Sequence, residues 1–187
     1  MSEIETAWQG SRSSRTTRQP VMPGPAAHGY AAVVATPWSG VMVGVSVHDE
    51  AVTSIDFLAG NAAPHTARKG VAREAVRQLR AYFRDPQHRF VLPLEPVGTP
   101  FQRRVWDAMR RIPTGETRSY GWLARQLGSS PRAIGGACRV NPIPLIIPCH
   151  RIVAAQGLGG FMGVTTGPGI QLKQLLLSHE SSLQRPL

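Results

Sequence analysis

The sequence predicts an α+β fold: a small N-terminal antiparallel sheet with a helix, then a mostly helical C-terminal domain. Three observations carry this reading. Runs rich in β-branched residues at 30–35, 41–47 and 52–58 are separated by Pro37-Trp38-Ser39-Gly40 and His48-Asp49-Glu50, the pattern of a meander. Residues 66–83 place Val71, Ala75, Leu79 and Tyr82 or Phe83 at helical spacing with arginines between, the pattern of an amphipathic helix. Beyond Gly98 the apolar spacing is helical in three successive segments.

Taken in order, residues 1–28 are polar and rich in Ser, Thr, Pro and Arg, without an apolar core stretch. They read as a mobile tail and not as a secretory signal, and Glu3 and Glu5 argue against a transit peptide. Residues 29–95 read as a structural α+β domain whose helix stops before Pro86, with residues 90–94 as one more strand. No chemical constellation is visible there. Pro93-Leu94-Glu95-Pro96-Val97-Gly98 reads as a linker.

Residues 99–187 form the second domain. Thr99 is a good N-cap with Pro100 at the first helical position, and Phe101, Val105, Trp106, Met109 and Ile112 share one face. Pro113-Thr114-Gly115-Glu116 breaks that helix. Ser119 caps a second one, with Tyr120, Leu123, Ala124 and Leu127 inward. Gly128-Ser129-Ser130 turns the chain, and Pro131 starts a third helix running to about Val140. Two short helices joined by a glycine-containing turn have the layout of a helix-turn-helix. The third helix is the candidate reader: it carries Arg132, the small residues Ala133, Gly135, Gly136 and Ala137, and Arg139. Small residues let a backbone approach a groove, although they serve helix–helix packing equally well.

Charge narrows the function classes. The 187 residues carry a formal net charge of +10, with 19 Arg and 2 Lys. Arginine favours planar, bidentate partners such as phosphates and base edges, so the imbalance points to nucleic acid before membrane. Residues 101–151 hold nine arginines against Asp107 and Glu116. No apolar stretch is long enough to span a bilayer. Two cysteines, Cys138 and Cys149, are too few for a disulfide scaffold or a multi-cysteine zinc site, and the six histidines show no metal-ligand spacing. Neither metal nor cofactor is expected.

Chemistry concentrates at Pro148-Cys149-His150-Arg151, which follows the apolar run 141–147. The run reads as a buried strand presenting a thiol beside a base and a cation. Such surroundings lower a cysteine pKa from about 8.5 toward neutrality. Buried free cysteine is also commonly inert packing, and Cys149 alone does not separate the two readings. Arg151 reads as a structural arginine bonding to backbone carbonyls behind the site, with phosphate as the alternative partner.

The segments Thr99-Pro100-Phe101-Gln102, Val105-Trp106, Ile112-Pro113-Thr114-Gly115, Ser119-Tyr120, Arg132-Ala133-Ile134-Gly135, Asn141-Pro142 and Pro148-Cys149-His150-Arg151 together closely resemble the O6-alkylguanine-DNA alkyltransferase family. The resemblance is strong from Thr99 to Glu180 and weak over residues 30–95. It implies a ribonuclease-H-like N-terminal domain and a winged-helix-like C-terminal one. It also implies single-turnover repair, in which an alkyl group passes irreversibly from O6-alkylguanine in duplex DNA, or from O4-alkylthymine, to Cys149 after base flipping.

By the same resemblance, His150 takes the thiol proton through a water, Glu180 orients His150, and Tyr120 donates to the departing base. Asn141 supports the turn before the nucleophile. Arg132 fills the space of the flipped nucleotide, and Ser119, Tyr120, Ala133, Gly135 and Arg139 face DNA. Cys138, Gly157, Gly159, Gly160, Phe161 and Met162 form the pocket and its lid. The expected partner is double-stranded DNA carrying O6-alkylguanine, without membrane, bound by a monomer with cooperative assembly left open. The expected compartment is the bacterial cytoplasm, or the nucleus in a eukaryote. Three other readings stand beside this one: a binder without transfer, which the presence of Cys149 opposes; a cysteine hydrolase, for which no oxyanion arrangement is visible; and, as an added role, a transcriptional regulator built on the helix-turn-helix, although the chain has no four-cysteine zinc domain.

Overall fold

The computed structural model describes residues 29–59 and 62–181; the expected tail at 1–28 lies outside the described residues. The chain divides between Glu95 and Pro96 into two compact units. Among the described residues an antiparallel sheet and five α-helices make the fold α+β.

In the first unit, β1 (Ala32–Ala35), β2 (Val41–His48) and β3 (Ala51–Ala59) make an antiparallel meander in that order. Val34 pairs with Val43 and Val43 with Phe57, and a register shift at Ser46/Val47 bends the long hairpin. The β1–β2 turn is tied by the Thr36 hydroxyl donating to the Val41 carbonyl at 2.8 Å, with Gly40 at φ 75°. Helix α1 (Gly70–Arg84) covers the sheet with Ala72, Ala75, Val76, Leu79 and Tyr82, all buried. A Cβ at Gly44 would stand 2.6 Å from the Tyr30 ring, so only glycine lets that ring lie on β2.

The strand expected at 90–94 does not form; a single bridge joins Leu94 to Val52. The buried Gln78 side chain explains this, because its amide takes both the Val91 N–H (2.7 Å) and the Val91 carbonyl (2.8 Å). Pro93 has no N–H to give a ladder.

The second unit begins at α2 (Pro100–Arg110), closed by a capping box between Thr99 and Gln102. Trp106 on its inner face is buried and donates from Nε1 to the Ala137 carbonyl at 3.0 Å. That bond ties α2 to α4 (Pro131–Arg139). Between them lies α3 (Tyr120–Gln126), capped by Ser119 accepting from the Trp122 N–H, while Ser130 caps α4 by accepting from the Ala133 N–H. Gly128 at φ 61° makes the turn joining α3 to α4. The two-residue strands β4 (Arg118–Ser119) and β5 (Ile152–Val153) pair in parallel. Helix α5 (Pro168–Ser181) closes the unit, burying Leu172, Lys173, Leu176 and Glu180.

The run before Cys149 is buried but is not a strand. Residues 141–148 form successive turns, with Leu145 at φ 74° and the Ile147 N–H bonded to the Ile143 carbonyl at 2.9 Å. Pro142, Pro144 and Pro148 remove the donors that a ladder needs. Cys149 instead opens a single 3₁₀ turn, Cys149–Arg151, leading into β5.

Candidate active site

Asn141 builds the ground on which the thiol stands. Its Oδ1 accepts from the Ile143 N–H at 3.1 Å, and its Nδ2 donates to the Ile147 carbonyl at 2.8 Å. The same Nδ2 lies 3.3 Å from Cys149 Sγ. One buried amide thus folds the turn and supplies a donor to the sulfur, a local use of Asn typical of turns.

Cys149 is only 3% exposed. Burial pushes its thiol above the ordinary value, opposed by the Asn141 donor and by the positive charge of Lys173. The downward shift expected from the sequence is therefore corrected: in the resting protein desolvation outweighs the favourable partners, and the sulfur is a thiol.

His150 is fully buried, and its Nε2 sits 2.9 Å from Glu180 Oε1. Burial lowers its pKa against the pull of Glu180, so the ring is neutral at pH 7. An ionised carboxylate only accepts, so Nε2 carries the proton and Nδ1 keeps its lone pair. Nδ1 has no hydrogen-bond partner among the described residues. The arrangement leaves a basic nitrogen on the residue next to the thiol.

Glu180 is held from two sides. Arg151 donates Nε to Oε2 at 2.9 Å and Nη2 to Oε1 at 2.8 Å. Burial alone would raise the Glu180 carboxyl, but the His150 and Arg151 hydrogen bonds and charges hold it well below the usual carboxylate range. Arg151 also donates Nη1 to the Ile112 carbonyl at 2.6 Å and Nη2 to Thr114 Oγ1 at 3.1 Å. The carbonyl contact matches the preferred reading of Arg151; its grip on Glu180 was not foreseen. With every nitrogen of the fork engaged and 8% of the residue exposed, this arginine is not a phosphate contact.

Lys173 was missed altogether. It is fully buried, and its Nζ donates to the carbonyls of Ile152 (2.6 Å), Leu158 (2.6 Å) and Gly160 (3.0 Å). Desolvation lowers its pKa to about 8, opposed by the two cysteines. It lies seven residues before Glu180, two helical turns along one face of α5. A usable signal was present: in a chain of arginines, one of the two lysines stands beside Leu172 and just ahead of Leu175, Leu176 and Leu177.

A cavity of about 230 Å³ lies over the thiol. Cys149, Tyr120, Gly135 and Cys138 line one side, and Gly160, Phe161 and Met162 the other. Arg139 also lines it, as do Gly163, Val164 and Thr165 beyond the expected lid residues. The lid is a tight turn in which Phe161 and Val164 exchange both backbone hydrogen bonds, at 2.9 and 3.0 Å. Met162 and Gly163 take positive φ at its tip. Tyr120 donates its hydroxyl to the Gly160 carbonyl at 3.1 Å, so Tyr120 and Lys173 share that acceptor. Gly159, at φ 67°, disfavours any side chain: a Cβ would sit in the left-handed region and 3.0 Å from both the Tyr120 ring and the Ala154 nitrogen. Cys138 is buried and touches Met109 Sδ at 3.6 Å, its thiol pushed far up by burial.

The structure does not bring every expected residue to this cavity. Gly157, at an exposed bend, and Gly159 are not among its lining residues, while Ser119, expected to face DNA, serves as the α3 cap. Arg132 is exposed in the first turn of α4, with Ala133 half-buried behind it. Among the described residues no helix is long and apolar enough to cross a membrane, and no three His, Cys, Asp or Glu side chains cluster as metal ligands.

Residues 100–182 match the family model for the DNA-binding domain of 6-O-methylguanine DNA methyltransferase. The chain is 45% identical over 113 residues to a methylated-DNA–protein-cysteine methyltransferase of Methanosarcina acetivorans, covering 59% of this chain and 69% of the relative. It is 46% identical over 120 residues to the protein of that name from Mycobacterium tuberculosis, covering 63% and 70%. The crystal structure of M. tuberculosis O6-methylguanine methyltransferase superposes with a TM-score of 0.65 at 35% identity, over 82% of this chain and 93% of that one. A second M. tuberculosis structure, solved in complex with DNA, gives 0.62 at 39% identity, over 75% and 87%.

Proposed function

The chain belongs to the methylated-DNA–protein-cysteine methyltransferase family, and from that premise we propose a role for each residue of the site in its reaction. The protein binds DNA and repairs it by moving an alkyl group from O6-alkylguanine to one of its own cysteines. Cys149 is that cysteine. The observation that carries this reading is the hydrogen-bonded series from the thiol's neighbour inward: His150 to Glu180 at 2.9 Å and Glu180 to Arg151 at 2.8 Å, beneath a cavity that Cys149 lines.

The alkylated guanine leaves the stack and enters the cavity, whose volume is below the roughly 300–1,000 Å³ of larger ligand sites and suits one flat base. His150 Nδ1 takes the thiol proton through a bridging water. Glu180 and Arg151 hold the ring in the tautomer that can accept it, as the third group does in a nucleophile–base–orienter series. Sγ then attacks the alkyl carbon in line with the C–O bond. The C–S bond forms as the C–O bond breaks, and the electron pair goes to O6. The guanine anion is stabilised by the Tyr120 hydroxyl, which turns from Gly160 to the base, and guanine recovers a proton. Lys173 places a positive charge where the thiolate develops. Nothing removes the alkyl group from sulfur, so each molecule acts once.

The α3–turn–α4 pair acts as the helix-turn-helix of a winged-helix-like unit, and the N-terminal unit is a ribonuclease-H-like support. Arg132 is exposed at the start of α4, free to occupy the space of the flipped nucleotide. Gly136 is exposed with open space around it, so the helix backbone can lie close to a groove. Arg139, Ser119, Ala133 and Gly135 flank that contact. Repair by a monomer, in the bacterial cytoplasm or a nucleus, and action on O4-alkylthymine complete the reading.

The test is stoichiometric. Protein mixed with excess duplex carrying one labelled O6-methylguanine should retain one label per molecule and then stop. Continued release of product would identify a turnover enzyme, such as a cysteine hydrolase, and overturn the account.

A further inference from the structure

Helix α1 of the first unit carries a feature that the transfer reaction does not use. Arg73, Arg77, Arg80 and Arg84 are all exposed. At 100° per residue they fall within about 60° of arc, and at 1.5 Å per residue they run about 16 Å along the helix. Arg77 pairs with Glu74, Nε to Oε2 at 2.8 Å. Arg73, Arg80 and Arg84 make no ion pair with the described residues. All four line one surface cavity of about 580 Å³ with Thr66, Ala67, Gly70, Val76 and the Glu74 carboxylate, which Arg77 neutralises. The exposed Arg68 and Lys69 lie just before the helix.

Three considerations decide what this stripe fits. Four guanidinium groups in a line, three of them without an ion pair, match a linear, repeating anion, and arginine favours phosphate oxygens bidentately. The helix shows no large exposed apolar side chain on that side, which an interfacial membrane helix needs. A second copy of a chain at +10 is repelled. Duplex DNA offers one phosphate per about 3.4 Å of axis on each strand, so the stripe spans about five.

We propose that the Arg73/Arg77/Arg80/Arg84 face of α1 is a second phosphate-binding surface for duplex DNA, separate in sequence from the α3–α4 contact. The inference rests on the DNA-repair reading for its partner but not on any residue of the transfer site. A protein with this surface engages more backbone than its C-terminal unit alone, and does so without regard to sequence or damage.

The experiment is a salt titration of the full chain on unmodified duplex, comparing wild type with the triple variant Arg73→Gln/Arg80→Gln/Arg84→Gln. Each lost phosphate contact removes about 0.9 from the slope of log K against log salt. The slope should therefore become shallower by ~2.7, so a fourfold rise in salt weakens the wild type ~40-fold more than the variant. The lysine triple variant should keep the wild-type slope, because the charge is retained. An unchanged slope in the glutamine variant overturns the proposal, as does a lysine variant that loses as much as the glutamine one. Loss of binding to anionic vesicles with the DNA slope intact marks a membrane surface and also overturns it. Transfer from free O6-benzylguanine base should be equal in all three proteins. A wild type that takes no methyl group from saturating O6-methylguanine duplex at low salt would count against the repair reading instead, and is read independently of the slope.

Discussion

Arg151 holds Glu180 through two nitrogens, Nε on Oε2 at 2.9 Å and Nη2 on Oε1 at 2.8 Å, in a site where Glu180 is 1% exposed. The pair joins the 3₁₀ turn that bears the nucleophile to α5, and the carboxylate it fixes is the one that receives His150. Positioning of the base and cohesion of the unit therefore depend on the same atoms.

Glu180→Gln should slow alkyl transfer and destabilise the fold together. Removing one partner of a buried pair leaves Arg151 uncompensated, which costs about 3–5 kcal/mol. Thermal unfolding and single-turnover kinetics on the same preparation check this. A variant that loses stability but transfers at the wild-type rate would remove Glu180 from the reaction.

The same pair predicts an acid limb of stability. The Glu180 pKa is depressed in the folded state, so its contribution is complete above the unfolded carboxylate value and is lost as pH falls through the folded one. His150, also depressed, adds a loss in the same direction, beginning below its unfolded value near 6.5. Denaturant midpoints measured downward from pH 7 should fall, and the fall should be smaller in Glu180→Gln.

Lys173→Met should disturb the lid and the sulfur at once. The lysine ties Leu158 and Gly160 to α5 and lowers the Cys149 pKa against the effect of burial. Without it the thiolate is harder to reach, and transfer from free O6-benzylguanine should slow by tenfold or more, about 1.4 kcal/mol per decade. Lys173→Arg, with a larger head in a closed site, should not restore the rate.

The rate of transfer should be flat across neutral pH and rise above the ordinary thiol range. Burial keeps Cys149 protonated, while burial also lowers the His150 pKa and keeps its ring neutral at pH 7. A profile that rises through pH 5–7 and then levels would instead indicate a resting thiolate with a lowered pKa.

Much of this was legible in the sequence where local chemistry governs structure. Thr99, Ser119 and Pro131 mark helix starts through capping and fixed φ, and those helices begin where expected. The meander followed from alternating turn formers and β-branched runs. The apolar run before Cys149 reads as a strand because burial and strand formation give the same residue pattern; its three prolines hold the signal for turns. Residues 90–94 failed as a strand because the distant Gln78 side chain takes the backbone groups at Val91. The upward shift of Cys149 could not be read either, since desolvation belongs to the packed site and not to the neighbours in sequence. The Lys173 contacts and the Arg151–Glu180 pair are tertiary contacts 13 to 29 residues apart in the chain, beyond the reach of any local pattern.

The exposed Arg132 supports a separable prediction. Arg132→Ala should slow repair of duplex DNA by more than tenfold and leave transfer from the free base near wild type, because filling the vacated stack matters only when a base must leave it. Equal loss on both substrates would contradict the role given to this residue.

The central claim is that Cys149 is the alkyl acceptor. The most direct measurement is the mass of the intact protein and of its Cys149 peptide after incubation with duplex containing O6-methylguanine. The account predicts the mass of one added methyl group, located on Cys149, and none on Cys138 or on a Cys149→Ala protein that still binds DNA. An unmodified Cys149 peptide, or methylation that survives Cys149→Ala, would contradict it.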